Sequence, residues 1–211
     1  MKTFVRGVMC LVMFGLVGCT FSVHPLLEKE HLSREFDLAG TWEQQEFTPP
    51  TKEKQRKVRV LLEGFDGGSS YDVTDVGADE SVSRDEWLIQ VGQCAGRDYL
   101  QFTRDDLPPP QSLPVLVGIP VYSFARFELA GDELRTYRIN DNWVEHKLDR
   151  KSTPQIRRGE KGLGRPWIIL TIPPDQLRAL VEKHGDEMFV KTPDVWRRVA
   201  KVPPKKDTAT E

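Results

Sequence analysis

The chain has 211 residues, with 30 basic and 32 acidic side chains and a formal net charge of −2. This near balance gives no bias toward nucleic acid, and the length is close to that of a single domain with a substantial core.

The chain begins like a secretory signal peptide. Lys2 and Arg6 give it a charged start, and an apolar stretch follows from 8 to 18. This stretch is too short to span a bilayer as a helix. The sequence therefore predicts export, with residues 1–18 as the signal.

The signal ends in a motif that a simple signal does not need. Leu16-Val17-Gly18-Cys19 has a leucine three residues before a cysteine and a small residue directly before it. It resembles the cleavage box of bacterial lipoprotein precursors. An ordinary cleaved signal and an uncleaved anchor helix are the alternatives.

The resemblance implies cleavage between Gly18 and Cys19, and a diacylglycerol thioether on Cys19. A third acyl chain, such as palmitate, usually follows on the new amino group. Two chains already give stable anchoring. We therefore expect a membrane partner through Cys19 and a place in the cell envelope. Thr20, rather than an aspartate, indicates the outer membrane over the inner one, and this compartment disfavours nucleic acid.

Cysteine use fits this address. Cys10 would leave with the signal and Cys19 would be acylated, so Cys94 stands alone in the folded part. No intramolecular disulfide is expected there. A single cysteine on an apolar strand is typical of a small core residue.

Residues 19–36 are predicted to be the lipidated N-terminus and a tether. They are mostly polar, with the charged run Glu28-Lys29-Glu30-His31 and no sustained apolar period. A flexible tether of this length would span about 20–25 Å. The alternative is a short charged helix that packs back on the body.

From Asp37 the pattern changes to short apolar runs separated by turn residues, which is typical of an antiparallel meander. One domain over 37–202 is predicted, and 203–211 as a disordered tail. The early runs are Leu38 to Phe47, Val58 to Leu62, Tyr71 to Val76, Trp87 to Val91 and Tyr99 to Thr103.

A proline-rich stretch from Leu107 to Pro114 interrupts the runs. Proline cannot donate a ladder hydrogen bond, so we expect a stiff connection across one end of the sheet. The next strand, Val115 to Leu129, has apolar residues on both faces, which either a bulge or two-sided burial would produce. A turn at 130–132 then leads into Leu134 to Ile139.

Helical patterns occur only late in the chain. Asn140 can cap a short helix in which Trp143, Val144 and Leu148 share a face. A second helix is predicted over Asp175 to His184, ended by Gly185. The last strands are predicted over Trp167 to Ile172 and Val195 to Val202.

Together these elements predict a mainly β fold, an antiparallel meander closed into a barrel or half-barrel, with two short helices near the C-terminus. Closure is favoured because one flat sheet of this size would expose too many edges.

Gly40-Thr41-Trp42 resembles the Gly-x-Trp signature of lipocalins. The resemblance implies an eight-stranded barrel in which Trp42 closes one end beneath an arginine of the last strand, Arg197 or Arg198. With Leu38, the motif also resembles lipocalin-like lipoproteins whose body starts Leu-x-Gly-Thr-Trp, a family that implies a fold but no known activity.

No catalytic pattern is found. The four histidines show no metal-ligand spacing with another histidine, cysteine or carboxylate on one element. The glycines of 64–70 lie between two strands, so they form neither a nucleophile elbow nor a phosphate loop. We therefore expect no enzyme activity, no cofactor and no metal.

One cluster of charge stands out between Lys147 and Arg165, a stretch predicted to be a long loop. A solvated loop is the simple interpretation, and contact with lipid phosphates, envelope polyanions or an acidic protein is the functional one. The candidate contact residues are Arg150, Lys151, Arg157, Arg158, Lys161 and Arg165.

Two functions fit these features. The first is a lipid-anchored, non-catalytic lipocalin-like module that binds an apolar or amphipathic small molecule. The second is an interaction protein of the envelope with a filled barrel and no small-molecule ligand. An open apolar cavity would distinguish them.

Overall fold

A computed structural model describes the chain over residues 20–45, 59–65, 69–76, 82–104, 121–148, 154–158 and 167–201. Within these ranges lie eleven strands, a 3₁₀ turn at Lys29–His31 and two α-helices, α1 (Asp141–Lys147) and α2 (Pro174–Met188). The strands are β1 (Thr20–Ser22), β2 (Gly40–Gln44), β3 (Arg59–Phe65), β4 (Ser70–Val76), β5 (Val82–Cys94), β6 (Arg97–Arg104), β7 (Val121–Ala130), β8 (Glu133–Arg138), β9 (Gln155–Arg158), β10 (Trp167–Leu170) and β11 (Asp194–Ala200).

Eight of these strands form a closed antiparallel barrel. Strands β2 to β8 pair in chain order, and β11 pairs with both β8 and β2. Each barrel strand therefore has a hydrogen-bonded neighbour on both sides, which removes the edge problem of an open sheet. The predicted meander, closed into a lipocalin-like barrel with two helices near the C-terminus, is confirmed.

The two ends of the barrel differ in their connections. The two-residue turns 95–96 and 131–132 and the start of β2 lie at one end, which we call the plugged end. The connections 46–58, 77–81 and 105–120 join strands at the opposite end, which we call the far end. All three connections, including the predicted proline-rich one, lie outside the described residues.

Strand β7 is buried on both faces, one of the two explanations that its sequence allows. Phe127 and Ala125 face the barrel interior, whereas Phe124 belongs to a second cluster on the outside. Residues 26–27, both helices and β10 contribute to this outer cluster. The barrel wall at β7 is therefore sandwiched between two cores.

Three strands extend the sheet beyond the barrel, and we call them the spur. Strand β1 lies between β7 and β10: Ser22 is opposite Tyr122, and Thr20 is opposite Ile168 in a parallel pairing. Strand β9 pairs with the other side of β10 and is the free edge of the sheet among the described strands.

The predicted tether is wrong for residues 20–36, because this segment packs on the body. Thr20 is 1% exposed, and Leu26 and Leu27 are buried in the outer cluster. Ser33 donates its backbone N–H to the carbonyl of Val91. The segment is mostly polar, but its few apolar side chains are buried, and their irregular spacing hides them from a search for periodic patterns. The folded body therefore includes Thr20 and does not begin at residue 37. The 3₁₀ turn at Lys29–His31 resembles the alternative prediction, a short charged helix that packs back on the body.

The first helix forms as its sequence predicts. The Asn140 side chain accepts a hydrogen bond from the backbone N–H of Trp143 at 3.3 Å. Trp143, Val144 and Leu148 are all buried. The cap therefore places the apolar face of α1 against the outer core.

The second helix is longer than predicted, because Gly185 does not end it. The helix continues to Met188, which is buried. A methyl group at position 185 would lie 3.3 Å from Nη1 of Arg97 and 3.7 Å from the hydroxyl of Tyr99. The glycine is thus explained by a close approach of α2 to the barrel wall.

The sequence predicts one long loop for the basic stretch from 147 to 165, and this prediction is wrong. Lys147 ends α1, and 155–158 form β9, which pairs with β10. Strand β9 is short and polar, so its sequence does not indicate a strand. It forms because the backbone of β10 has an unpaired edge with which it can pair.

Candidate functional site

The plugged end of the barrel is closed by Trp42 and Arg198. The Trp42 side chain is 0% exposed, and its Nε1 donates a hydrogen bond of 2.8 Å to the carbonyl of Leu38. The guanidinium carbon of Arg198 lies 4.7 Å from the centre of the Trp42 ring. Of the two arginines that the resemblance named, Arg198 thus takes this position, whereas Arg197 is exposed.

Arg198 ties together three parts of the plugged end. Its Nη1 donates to the carbonyl of Ala39 and to a carboxylate oxygen of Asp37, each at 3.1 Å, and its Nη2 donates to the carbonyl of Asp37. Its Nε lies 3.3 Å from a carboxylate oxygen of Asp132 in the 131–132 turn. The side chain is only 5% exposed, so a buried cation is held by carboxylates, carbonyls and a ring.

Gly40 permits the close crossing of β2 and β11 at this end. Its φ is 142°, a region that favours glycine, and an added methyl group would lie 2.5 Å from the carbonyl oxygen of Ala200. The glycine and the tryptophan of the signature therefore have separate structural roles: one allows the strands to meet, and the other fills the barrel.

Tyr71 is a further buried member of the plugged end that the sequence analysis did not identify. Its hydroxyl donates to the carbonyl of Phe36 at 2.6 Å and accepts from the backbone N–H of Leu38 at 3.1 Å. Burial raises the pKa of Tyr71. No sequence motif marks this tyrosine, because its partners are backbone groups more than thirty residues away.

The described barrel interior is filled by side chains. None of the large apolar residues below is more than 8% exposed. A cavity large enough for a lipid would leave its lining accessible, so these positions pack against one another instead. They are Leu38, Val60, Leu62, Ile89, Val91, Leu100, Phe102, Phe127, Leu134 and Trp196.

A second set of polar groups lies on the interior side toward the far end. Thr136 lies opposite Asp194 and accepts a hydrogen bond of 3.3 Å from Nε1 of Trp196. Burial raises the pKa of Asp194, and the nearby positive charge of Arg138 acts in the opposite direction. Ser123 is also buried. The two ends of the barrel thus differ in chemistry: an arginine–tryptophan plug at one, a partly buried carboxylate at the other.

Gln101 fixes the N-terminal segment to the outer wall. Its Oε1 accepts hydrogen bonds from the backbone N–H groups of Leu26 at 2.7 Å and Leu27 at 2.9 Å. Its Nε2 donates to the carbonyl of Leu27 and to the side chain of Gln90. This buried amide therefore satisfies three backbone groups that the tight packing removes from water.

A second link holds the same segment to α2 through charge. Glu28 forms an ion pair with Arg178 at 2.6 Å. Ligand atoms of Glu28, Glu30 and His31 also lie within 4.8 Å of one another, a grouping that the sequence analysis did not anticipate. Because the Glu28 carboxylate already binds a guanidinium, its attraction for a cation is reduced.

Cys94 is a buried free cysteine, and burial raises the pKa of its thiol. It is therefore a core residue, as its sequence context predicts, and not an activated thiol. Nearby Tyr99 is fully buried, and burial raises its pKa to about 12. Among the described residues its hydroxyl has no hydrogen-bond partner.

Of the remaining predicted site residues, only Arg157 and Arg158 lie among the residues that the structure describes. Gly18 and Cys19 lie outside the described residues, as do Arg150, Lys151, Lys161 and Arg165. Arg157 and Arg158 lie on the edge strand β9, opposite Ile168 and Trp167.

Comparison with protein families, with curated proteins and with solved structures gave no match. Neither helix in the described part of the chain has the length and apolar character that crossing a bilayer requires.

Proposed function

We propose that this protein is a lipid-anchored lipoprotein of the bacterial cell envelope, and that its filled barrel serves as a non-catalytic interaction module. The signal layout and the box ending in Cys19 support the anchor. The packed interior carries the second half of the proposal, because it favours a role for the outer surface of the barrel over one for its inside.

Three ion-paired arginines of the described chain support a non-catalytic role. The buried arginine of the plugged end has structural partners in the segment before β2 and in the 131–132 turn, and Arg178 and Arg59 are paired with Glu28 and Glu43. These groups link elements of the fold, and their partners leave little freedom for proton transfer.

A second candidate function is the binding of an apolar or amphipathic small molecule at the far end. The partly buried Asp194 and the neighbouring Arg138 favour it, since a few polar groups near an apolar interior can orient an amphipathic ligand. The basic residues of the 147–165 stretch are the candidates for contact with an anionic partner in either case.

Labelling tests the anchor directly. Cells that produce the Cys19→Ser variant and are given radioactive palmitate should show no labelled protein and should accumulate unprocessed precursor. The Cys94→Ala variant is the matched control and should label normally. Continued labelling of Cys19→Ser would contradict the anchor.

Native mass spectrometry distinguishes the two functions. The full acylated chain, released gently from membranes into detergent, should show the mass of the polypeptide and its acyl groups alone. A recurring additional mass of one small lipid, lost in the Asp194→Ala variant but kept in Asp132→Ala, would instead support ligand binding at the far end.

A further inference from the structure

The start of the described chain defines where an anchor on Cys19 would leave the body. Thr20 is buried in β1 between two other strands, and its hydroxyl donates to a carboxylate oxygen of Asp141 at 2.9 Å. Consecutive Cα atoms are about 3.8 Å apart, so Cys19 is separated from this buried strand by a single peptide bond. The body would have no spacer from its lipid.

The same end of the spur carries positive charge on its edge. Because β1 and β10 run parallel and β9 runs antiparallel to them, Thr20, Ile168 and Arg157 form one row across the spur, and Trp167 and Arg158 lie opposite each other beside it. Neighbouring strands are about 4.8 Å apart, which places the backbone of Arg157 about 10 Å from that of Thr20. Arginines near an acylated cysteine would meet the headgroup region together with the acyl chains.

From this juxtaposition we infer that the spur edge, Arg157 and Arg158 of β9, is the membrane-facing surface of the protein and docks on anionic phospholipid headgroups. The inference rests on the proposed acylation of Cys19. It assigns the bilayer as the partner of these two arginines, because a cationic group held close to an anionic surface is attracted within roughly one Debye length. Asp141 is an acidic group that contacts β1, where its carboxylate accepts a hydrogen bond from the hydroxyl of Thr20.

A free edge strand also needs protection against pairing with another chain, and arginines can supply it. The two roles differ in their dependence on lipid. Protection of an edge operates in detergent as well as on vesicles. Docking appears only on a membrane that carries negative charge, and it weakens with salt.

Hydrogen exchange of the acylated full chain tests the inference. The protein is reconstituted in vesicles of phosphatidylcholine alone, or of phosphatidylcholine and phosphatidylglycerol in equal parts. Each arginine near such a surface shifts the docking equilibrium by about fivefold, and two by about thirtyfold. We expect the β9 amides to exchange at least about tenfold more slowly on the anionic vesicles, and the amides of the 131–132 turn to exchange equally on both.

Charge variants complete the test. The double variant Arg157→Gln/Arg158→Gln should lose the slow exchange of β9 on anionic vesicles, with an unchanged circular dichroism spectrum. The control Arg135→Gln/Arg197→Gln removes the same charge from exposed positions on the barrel wall and should keep it.

Three outcomes would overturn the inference. Equal β9 exchange on both vesicle types, with the protein still floating with the vesicles, would leave the anchor intact and remove the docking surface. Slow exchange that persists in the double variant would do the same, as would self-association of that variant in detergent without any effect of lipid. Flotation of the acyl-free Cys19→Ser protein with phosphatidylcholine vesicles to the same extent as the acylated chain would instead remove the proposed anchor.

Discussion

Replacement of Trp42 by alanine tests whether this residue closes the barrel. The ring is completely buried, so its removal should lower the free energy of unfolding by about 3–5 kcal/mol through lost burial and the cavity left behind. Arg198 would also lose the ring beneath its guanidinium, which adds about 1 kcal/mol. In urea this corresponds to a midpoint lower by about 2 M.

The assay is urea unfolding of the full chain in mild detergent, followed by circular dichroism so that loss of a tryptophan does not alter the signal. Trp42→Phe keeps a ring for Arg198 but leaves the carbonyl of Leu38 without its donor, and should cost about 1–2 kcal/mol. Arg197→Ala, on the same strand but exposed, is the control. A change of less than about half a kcal/mol for Trp42→Ala would refute the role of this residue as a plug.

Four further changes probe buried or partly buried polar groups. Tyr71→Phe should lower the free energy of unfolding by about 1–3 kcal/mol, because the Tyr71 hydroxyl makes two backbone hydrogen bonds. Tyr99→Phe should cost nothing at neutral pH, and it should remove the loss of stability between pH 10 and 12 that the raised pKa of Tyr99 causes. Equal costs of the two variants in chemical denaturation would contradict this difference. Gln101→Leu should speed amide hydrogen exchange of residues 26–27 by at least about tenfold, whereas Gln93→Leu, the exposed control on the neighbouring strand, should leave it unchanged. Unchanged exchange in both variants would mean that packing alone holds this segment. Asp194→Asn should increase the free energy of unfolding at pH 7, because burial penalises the charged carboxylate. This gain should shrink as the pH falls through the raised pKa of Asp194 toward 3.8. A gain that is independent of pH would exclude burial of the charge as its cause.

The barrel follows from local patterns, and this is why the sequence predicts it well. Short alternating runs joined by tight turns pair with their neighbours along the chain, so the meander and the position of Trp42 can be inferred before any long-range contact is known. The helix cap at Asn140 is equally local.

The errors arise where distant segments meet. Nothing near Leu26 and Leu27 in the sequence indicates that Gln101 will bind their backbone, so a polar segment is predicted to be a tether. Gly185 is predicted to end a helix because the close approach of Arg97 and Tyr99 is not visible locally. The polar interior at the far end is likewise a product of strand pairing between 133–138 and 194–200.

The position of β1 in the spur constrains the order in which the chain folds. The first described strand finds its main partner near residue 168, and the ion pair between Glu28 and Arg178 spans 150 residues. Contacts of such long sequence separation form late, because closing the intervening chain costs entropy before they can form. While the chain is being synthesised from its N-terminus, β1 therefore stays uncovered until the C-terminal third of the chain is available to pair with it.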